Sequence, residues 1–211
     1  PMVAEAKEAT GSMGDDTPIA VLSDKFRPLS HFFRQKFSQV TNPPIDSLRE
    51  QSRMSLKTRF GNLRDVLDSN SYQDNVFVMD SPIITNSIFS KMMKFGQNVT
   101  KIIDCSFDLK KTSLKETIKR IQSEAEAAVL SGKQHVVLTD INTDHDKVSA
   151  PIILATAAVH TFLTRKGIRS FVSIHTQSAE CLDTHYFAVL IGVGATTVNP
   201  YLAQECIRER Y

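Results

Sequence analysis

The chain has 211 residues, 41% of them hydrophobic and 23% charged, which is typical of a globular protein and excludes a disordered or fibrous composition. Its 25 Lys and Arg residues nearly balance its 23 Asp and Glu residues, leaving a formal net charge of +2. So small a charge gives no indication of a nucleic acid or an acidic membrane surface as a partner, and we expect neither.

The spacing of the cysteines and the lengths of the apolar runs indicate the cellular compartment. Cys105, Cys181 and Cys206 are odd in number and widely spaced, which fits neither a disulfide framework nor a zinc or iron–sulfur site. No apolar run approaches the ~20 residues that span a bilayer, and the N-terminus lacks the basic and apolar regions of a signal peptide. We therefore expect a cytoplasmic protein. Because the chain starts at Pro1 and reaches Tyr211 within a predicted helix, we also expect a larger polypeptide around it.

The N-terminal portion, residues 1–98, predicts an irregular arrangement of turns, helices and short strands. GSMGDDTP, from Gly11 to Pro18, combines two glycines with a proline and predicts a tight turn. A phosphate-binding glycine loop is the alternative, but the carboxylates of Asp15 and Asp16 would repel a phosphate, and no lysine follows at the P-loop position. A structural turn is therefore favoured.

Two helices and two strands are predicted in the rest of this portion. Pro28 to Phe37 reads PLSHFFRQKF, and its apolar residues recur at helical spacing, which predicts an amphipathic helix. Residues 54–60 and 75–80 are predicted strands, and a further helix begins at Thr85 and ends at Gly96.

The most rigid stretch is the proline corner QVTNPPIDSLRE, from Gln39 to Glu50. Its two prolines fix φ at about −65°, and Asn42 is driven out of the α region because a proline follows it. Pro44 or Asp46 then begins a new helix. The corner predicts a stiff support that presents the polar side chains of Thr41 and Asn42.

Residues 99–211 repeat a strand and a helix four times. The predicted strands are Lys101 to Phe107, His135 to Asp140, Arg169 to Thr176 and Ala195 to Asn199, and the predicted helices begin at Ser113, Ser149, about Ala179 and Pro200. Ser113 and Glu116 have the spacing of a capping box. Short apolar strands between helices predict a parallel sheet with helices packed on it.

Two architectures can hold such repeats, a doubly wound sheet and a (β/α) barrel. A doubly wound sheet should show a phosphate-binding glycine turn after an early strand, whereas a barrel need not. Gly192–Val193–Gly194 comes before a strand, so it lacks the dinucleotide-binding context. We therefore predict an α/β fold with a partial, barrel-like parallel array of about four βα units and an irregular N-terminal portion.

The carboxyl ends of parallel strands are where such folds carry their chemistry. The polar residues predicted there are Asp104, Cys105, Asp140, Asn142, Thr176, Gln177, Ser178 and Asn199. The loop DINTDHD, from Asp140 to Asp146, could hold a hard metal or an acid–base pair, but without a fixed ligand spacing we favour a solvated loop. Cys181 and His185 could activate a thiolate, although an inert buried thiol is favoured.

Four long strings carry a family resemblance. They are GSMGDDTPIAVLS (Gly11 to Ser23), FRQKFSQVTNPPIDSLRE (Phe33 to Glu50), MSL (Met54 to Leu56) and HYFAVLIGVGATTVNPYLAQE (His185 to Glu205). In this order and across nearly the whole chain, they resemble the central domain of the glutamate synthase large subunit. The resemblance implies an α/β domain, like a reduced version of the FMN barrel of that enzyme.

The resemblance also implies a function. The segment would lie between a glutamine amidotransferase domain and an FMN-binding synthase domain, in an enzyme that makes two glutamates from glutamine and 2-oxoglutarate. FMN and an iron–sulfur cluster belong to the complete enzyme, and we expect no catalytic, cofactor-binding or metal-binding residue in this segment. Thr41 and Asn42 are its candidates for lining the ammonia path. The alternative is a free-standing (β/α) small-molecule-binding enzyme that uses the Asp140 to Asp146 loop.

Overall fold

A computed structural model of the chain describes residues 22–33, 44–65, 67–70 and 76–210. Its helices are α1 (Ser47–Arg53), α2 (Asn86–Phe95), α3 (Leu114–Leu130), α4 (Ile152–Arg165), α5 (Thr184–Gly192) and α6 (Tyr201–Arg210). Its strands are β1 (Thr58–Phe60), β2 (Phe77–Met79), β3 (Thr100–Asp104), β4 (Ser106–Phe107), β5 (His135–Thr139), β6 (Val148–Ser149), β7 (Ser173–Gln177) and β8 (Thr197–Asn199). Among these residues no helix combines the length and apolarity needed to cross a membrane.

The centre of the fold is a parallel sheet in the order β3-β5-β7-β8. Thr100 pairs with His135 and His135 with Ser173, while His175 pairs with Thr197. A helix follows each of the four strands, because parallel neighbours need a crossover connection. The predicted array of four βα units is thus confirmed, and within the described residues it is an open sheet and not a closed barrel.

One face of the sheet is covered by α3, α4 and α5, where the main core lies. The core joins Ile121 of α3, Val159 of α4 and Leu190 of α5 to Leu138 and Ile174 of the central strands. All five side chains are fully buried. The strands read as nearly continuous apolar runs because both of their faces are covered.

The opposite face is covered by the N-terminal portion. Val137 of β5 packs there against Ile84 and against Phe89 of α2. The segment before α2 also pairs with the outer edge of β8, where Ile84 N donates to Val198 O at 2.9 Å and Val198 N donates to Pro82 O at 2.8 Å. One edge of the sheet is therefore closed by the chain itself.

Helix ends follow the predicted caps in some places only. Ser113 and Glu116 form the predicted capping box, and Thr85 caps α2. The prediction that Ser149 caps the next helix is wrong, because Ser149 lies in β6, which pairs with β4, and α4 begins at Ile152. The helix expected from Ala179 begins later, at Thr184, since residues 178–183 form a loop that serves the sheet edge.

The N-terminal predictions are less accurate. In the predicted helix Pro28 to Phe37, residues Leu29–Phe32 form a 3₁₀ turn and Phe33 is extended, while residues 34–37 lie outside the described part. Asp46 caps α1 by accepting from Leu48 N and Arg49 N. The GSMGDDTP turn, Thr41 and Asn42 lie outside the described residues.

Candidate functional site

The carboxyl edge of the parallel sheet collects the polar residues predicted there. At the end of β3, Asp104 accepts from Ser106 N at 2.8 Å and from Asn142 Nδ2 at 3.1 Å. Burial raises the pKa of Asp104, but the hydrogen bonds from Ser106 and Asn142 and the charge of Arg120 outweigh it and lower the pKa below its usual value. Asp104 is therefore held as a carboxylate by its own loops.

Asp140 is the centre of this edge. Its side chain is 3% exposed and accepts from Ser178 Oγ, from Ala179 N at 3.0 Å and from the Tyr201 hydroxyl. Burial raises the pKa of Asp140 and prevails over the lowering effect of these hydrogen bonds. One carboxylate thus ties together the end of β5, the loop after β7 and the start of α6.

A second carboxyl group, that of the half-buried Glu180, lies in the loop after β7. Tyr186 on α5 donates its hydroxyl to Glu180 Oε2 at 2.5 Å. Burial raises the pKa of Glu180, and burial together with this carboxyl group raises the pKa of Tyr186. The pair fixes the loop to α5, which explains why α5 begins only after residue 183.

The cysteines near this edge are inert. Burial raises the pKa of the Cys105 thiol to about 12 and raises that of Cys181 as well. The His185 ring is anchored by its Nε2, which donates to Ser30 O at 2.9 Å. The interpretation of an inert thiol is therefore favoured over thiolate activation.

The remaining strand ends are engaged with neighbouring elements. Thr139 Oγ1 donates to Gln177 Oε1 at 3.0 Å. Asn199 Nδ2 donates to Ile84 O at 3.1 Å and to Asn86 Oδ1 at 2.8 Å. These bonds connect β5 to β7, and the end of β8 to the start of α2.

The loop from Asp140 to Asp146 does not assemble a site. Asp144 Oδ1 accepts from Asp146 N and Lys147 N, both at 2.9 Å, within its own turn. Asp140 points away into the buried edge, toward Ser178. In the part of the chain that the structure describes, no three His, Cys, Asp or Glu side chains are grouped to hold a metal ion.

We expect Asp140→Asn to lower the free energy of unfolding by about 1–3 kcal/mol, because an amide nitrogen would face donors that now bind a carboxylate. The matched control is Asp144→Asn, whose side-chain oxygen can still accept both turn hydrogen bonds, so its effect should stay within about 0.5 kcal/mol. Urea denaturation at pH 7 measures both. Equal losses in the two variants would contradict a structural role for Asp140.

A second polar cluster, which the sequence does not predict, lies on the sheet face that β1 and β2 cover. His135 Nδ1 lies 3.0 Å from His175 Nε2, and His175 Nδ1 lies 2.7 Å from Thr197 Oγ1. Burial lowers the pKa of His135 to about 4 and that of His175 to about 3. Phe60 packs edge-on against both histidine rings, at centroid distances of 6.0 and 5.4 Å. The available signal was a histidine in each of two adjacent predicted strands.

Comparison with known proteins decides the family. The profile of the glutamate synthase central domain matches residues 1–211, the whole chain. The chain belongs to the glutamate synthase central domain family. The polar sheet edge, the inert cysteines and the covered sheet described above are therefore features of a glutamate synthase central domain.

Curated relatives of this glutamate synthase central domain are large proteins. The glutamate synthase [NADPH] large chain of Azospirillum brasilense is 55% identical over 213 residues, which cover 100% of this chain and 14% of that protein. A ferredoxin-dependent glutamate synthase of rice, Oryza sativa subsp. japonica, is 38% identical, over 99% of this chain and 13% of that protein. The glutamate synthase [NADPH] large chain of Bacillus subtilis is 38% identical over 96% of this chain and 13% of that protein. The chain thus spans about one seventh of these relatives.

Proposed function

We propose that this chain is a noncatalytic connecting and scaffold domain of a glutamate synthase. The observation that carries the proposal is the state of the carboxyl edge. A (β/α) enzyme keeps free acids, bases or ligands at this edge. Here the carboxylates of Asp104 and Asp140 each accept hydrogen bonds from neighbouring loops, and Glu180 accepts from Tyr186. The edge holds the fold together where an enzyme would hold its substrate.

The complete enzyme would convert glutamine and 2-oxoglutarate to two glutamates. Its glutamine amidotransferase domain and its FMN-binding synthase domain would be the partners of this domain, and FMN and an iron–sulfur cluster would be bound outside residues 1–211. The N-terminal portion, residues 1–98, and the βα portion, residues 99–211, would act as one unit. Because Cys105, Cys181 and Cys206 are all free thiols, we place the protein in a reducing compartment, the cytoplasm.

Exposed apolar side chains support a connecting role. Phe26, Leu48, Leu67 and Phe95 are each at least 83% exposed. Contact with another domain would remove these apolar side chains from water. Three of the four lie in residues 22–70, so the N-terminal portion would carry much of the contact with neighbouring domains.

The proline corner gives the scaffold its proposed contact with ammonia. A path for a small reactive amine needs rigid walls that exclude water and a few polar atoms that guide it. Thr41 and Asn42, supported by Pro43 and Pro44, would supply such atoms. We expect Thr41→Val with Asn42→Ala, in the full-length enzyme, to lower the ratio of glutamate formed to glutamine hydrolysed by about tenfold, equivalent to ~1.4 kcal/mol.

The two half-reactions serve as the control for this test. Glutamine hydrolysis without 2-oxoglutarate, and glutamate formation from added ammonium, are assayed separately. Both should stay within about twofold of the unaltered enzyme, since the corner holds no reacting group. An unchanged ratio together with unchanged half-reactions would overturn the role of the corner in the ammonia path.

A further inference from the structure

A hollow of about 410 Å³ opens at the amino end of β5, on the sheet edge opposite Asp140. It lies between β2, the end of α2 and the 3₁₀ turn Gln97–Val99 that follows it. Its lining residues are Val76, Phe77, Phe95, Gly96, Val99, Gln134 and His135. Apart from Gln134 and His135, the side chains that form its wall are apolar.

Further apolar side chains are exposed at the rim of the hollow and on the strands next to it. Phe95 is 85% exposed and Phe77 is 49% exposed, so two phenylalanine rings stand at the rim. Val78, 56% exposed, follows Phe77 along β2, with its side chain on the other face of the strand. Ile102, 54% exposed, lies on the outermost strand β3 and pairs in register with Val137 of β5. Among the described residues no strand lies beside the far edge of β3. An occupant of the hollow alone would leave these outer apolar side chains in water.

We assign the hydrogen-bonding direction in the polar floor of the hollow by choosing the histidine tautomers that satisfy the Thr197 hydroxyl. A neutral imidazole has one N–H donor and one acceptor nitrogen. Among the described residues, the Thr197 hydroxyl has His175 Nδ1 as its one acceptor, so it donates there. His175 then carries its proton on Nε2 and donates to His135 Nδ1, and His135 carries its own proton on Nε2. In the described part of the chain no residue bonds to this last N–H.

We infer that the hollow is a docking socket for an apolar side chain, with a carbonyl oxygen beside it, that comes from another part of the same polypeptide. The inference rests on the proposed function. An apolar occupant that sealed His135 without an acceptor would leave a buried donor unpaired, at a cost of about 1–3 kcal/mol. The extent of the apolar surface points to a protein segment, and relatives in which this domain is 14% of the length provide one.

Site-specific photocrosslinking in the full-length enzyme tests this inference. Phe95 is replaced by p-benzoylphenylalanine, which keeps an aromatic ring at the rim and reacts with neighbouring C–H bonds. We expect crosslinks to a peptide of the same polypeptide outside residues 1–211 that includes an apolar residue. The control places the same photocrosslinker at Lys111, a largely exposed side chain in the turn that follows β4, and should give at least tenfold less of that product.

Each other result overturns the inference. These results are crosslinks confined to residues 1–211, crosslinks to a second copy of the enzyme, and crosslinking no stronger than at Lys111. Thiol labelling of Phe95→Cys in the full-length enzyme gives an independent measurement, and the socket requires labelling at least tenfold slower than for Lys111→Cys. If labelling is fast while the corner variant still changes the ratio of products, the socket fails and the proposed function stands. If labelling is slow while that ratio is unchanged, the ammonia path fails and the socket stands.

Discussion

Gly194→Ala should lower the free energy of unfolding by about 2–5 kcal/mol, one of the two largest effects expected in this domain. Gly194 has φ of +116°, which disfavours a residue with a side chain by roughly 1–2 kcal/mol. An added Cβ would also lie 2.3 Å from His160 Cγ, an overlap that costs about 1–3 kcal/mol more. Urea denaturation of the chain measures the loss.

The His160 ring has little freedom to move away. Arg169 Nε donates to His160 Nδ1 at 3.1 Å, while the other guanidinium nitrogens donate to Val172 O at 2.6 Å and to Gly194 O at 2.8 Å. This half-buried arginine thus joins α4 to the segments that lead into β7 and β8. Because the ring is tied to the backbone that the new methyl group would displace, the overlap cannot be relieved by a rotation of His160 alone.

Gly132→Ala is the matched control for Gly194→Ala. Gly132 also has a positive φ, +82°, at the end of a helix, but nothing lies within 4 Å of its added Cβ. Gly132→Ala should therefore lower the free energy of unfolding only by the cost of a positive φ, about 1–2 kcal/mol. In a His160→Gly background, which also removes the His160 Cβ that would lie 2.6 Å from the added atom, the extra cost of Gly194→Ala should shrink toward that of Gly132→Ala. Equal losses at the two glycines would show that the contact with His160 carries no energy.

The sequence predicts the βα portion well because its signals are local and agree with one another. Each parallel strand is a short apolar run, and the capping box at Ser113 and the stop at Gly132 mark α3 correctly. The carboxyl edge could likewise be anticipated, since parallel strands bring their carboxyl ends together. Asp104 and Asp140 do lie there, as expected.

Some features of the site are not visible in the sequence, because they depend on contacts between residues that are far apart in the chain. Asp140 bonds to Ser178 and Ala179, 38 and 39 residues away, so whether its carboxylate is free or engaged is invisible in a local pattern. The hydrogen bond between His135 and His175, which are 40 residues apart, is invisible in a local pattern for the same reason. The late start of α5 has this cause too, because the loop before it is fixed by tertiary bonds and not by helix propensity.

The two sheet edges differ in a way that bears on function. At the carboxyl edge the polar side chains bind one another across loops that follow different strands. At the amino edge His135 lines an apolar hollow with phenylalanine rings at its rim. The edge that usually holds substrate is thus closed by internal bonds, whereas the edge that usually serves stability exposes apolar side chains. This difference between the edges supports the proposal of a scaffold domain.

Acid should destabilise this domain through His135 and His175. In an unfolded chain a histidine has a pKa of about 6.5, whereas burial lowers the pKa of His135 to about 4 and that of His175 to about 3. Below pH 6.5 the unfolded state therefore binds more protons than the folded state, so the free energy of unfolding falls as the pH falls. Each histidine contributes about 1.4 kcal/mol per pH unit, and together they contribute about 4 kcal/mol between pH 7 and pH 5.

Two carboxyl groups act in the opposite sense. Burial raises the pKa of Asp140 and of Glu180, so the folded state takes up their protons more readily than the unfolded state as the pH falls. This uptake offsets part of the loss from the histidines. The free energy of unfolding should therefore still fall between pH 7 and pH 5, but by less than 4 kcal/mol.

The double variant His135→Gln with His175→Gln isolates the histidine contribution. Its stability at pH 7 can be lower, because the hydrogen bonds to Thr197 and within the pair are altered, so the slope against pH is the informative quantity. Urea denaturation at intervals of half a pH unit measures that slope in both proteins. The variant should lose the decline toward acid and, with Asp140 and Glu180 intact, its slope should flatten or reverse. A decline as steep as that of the unaltered chain would mean that the two imidazoles are not held neutral against the sheet.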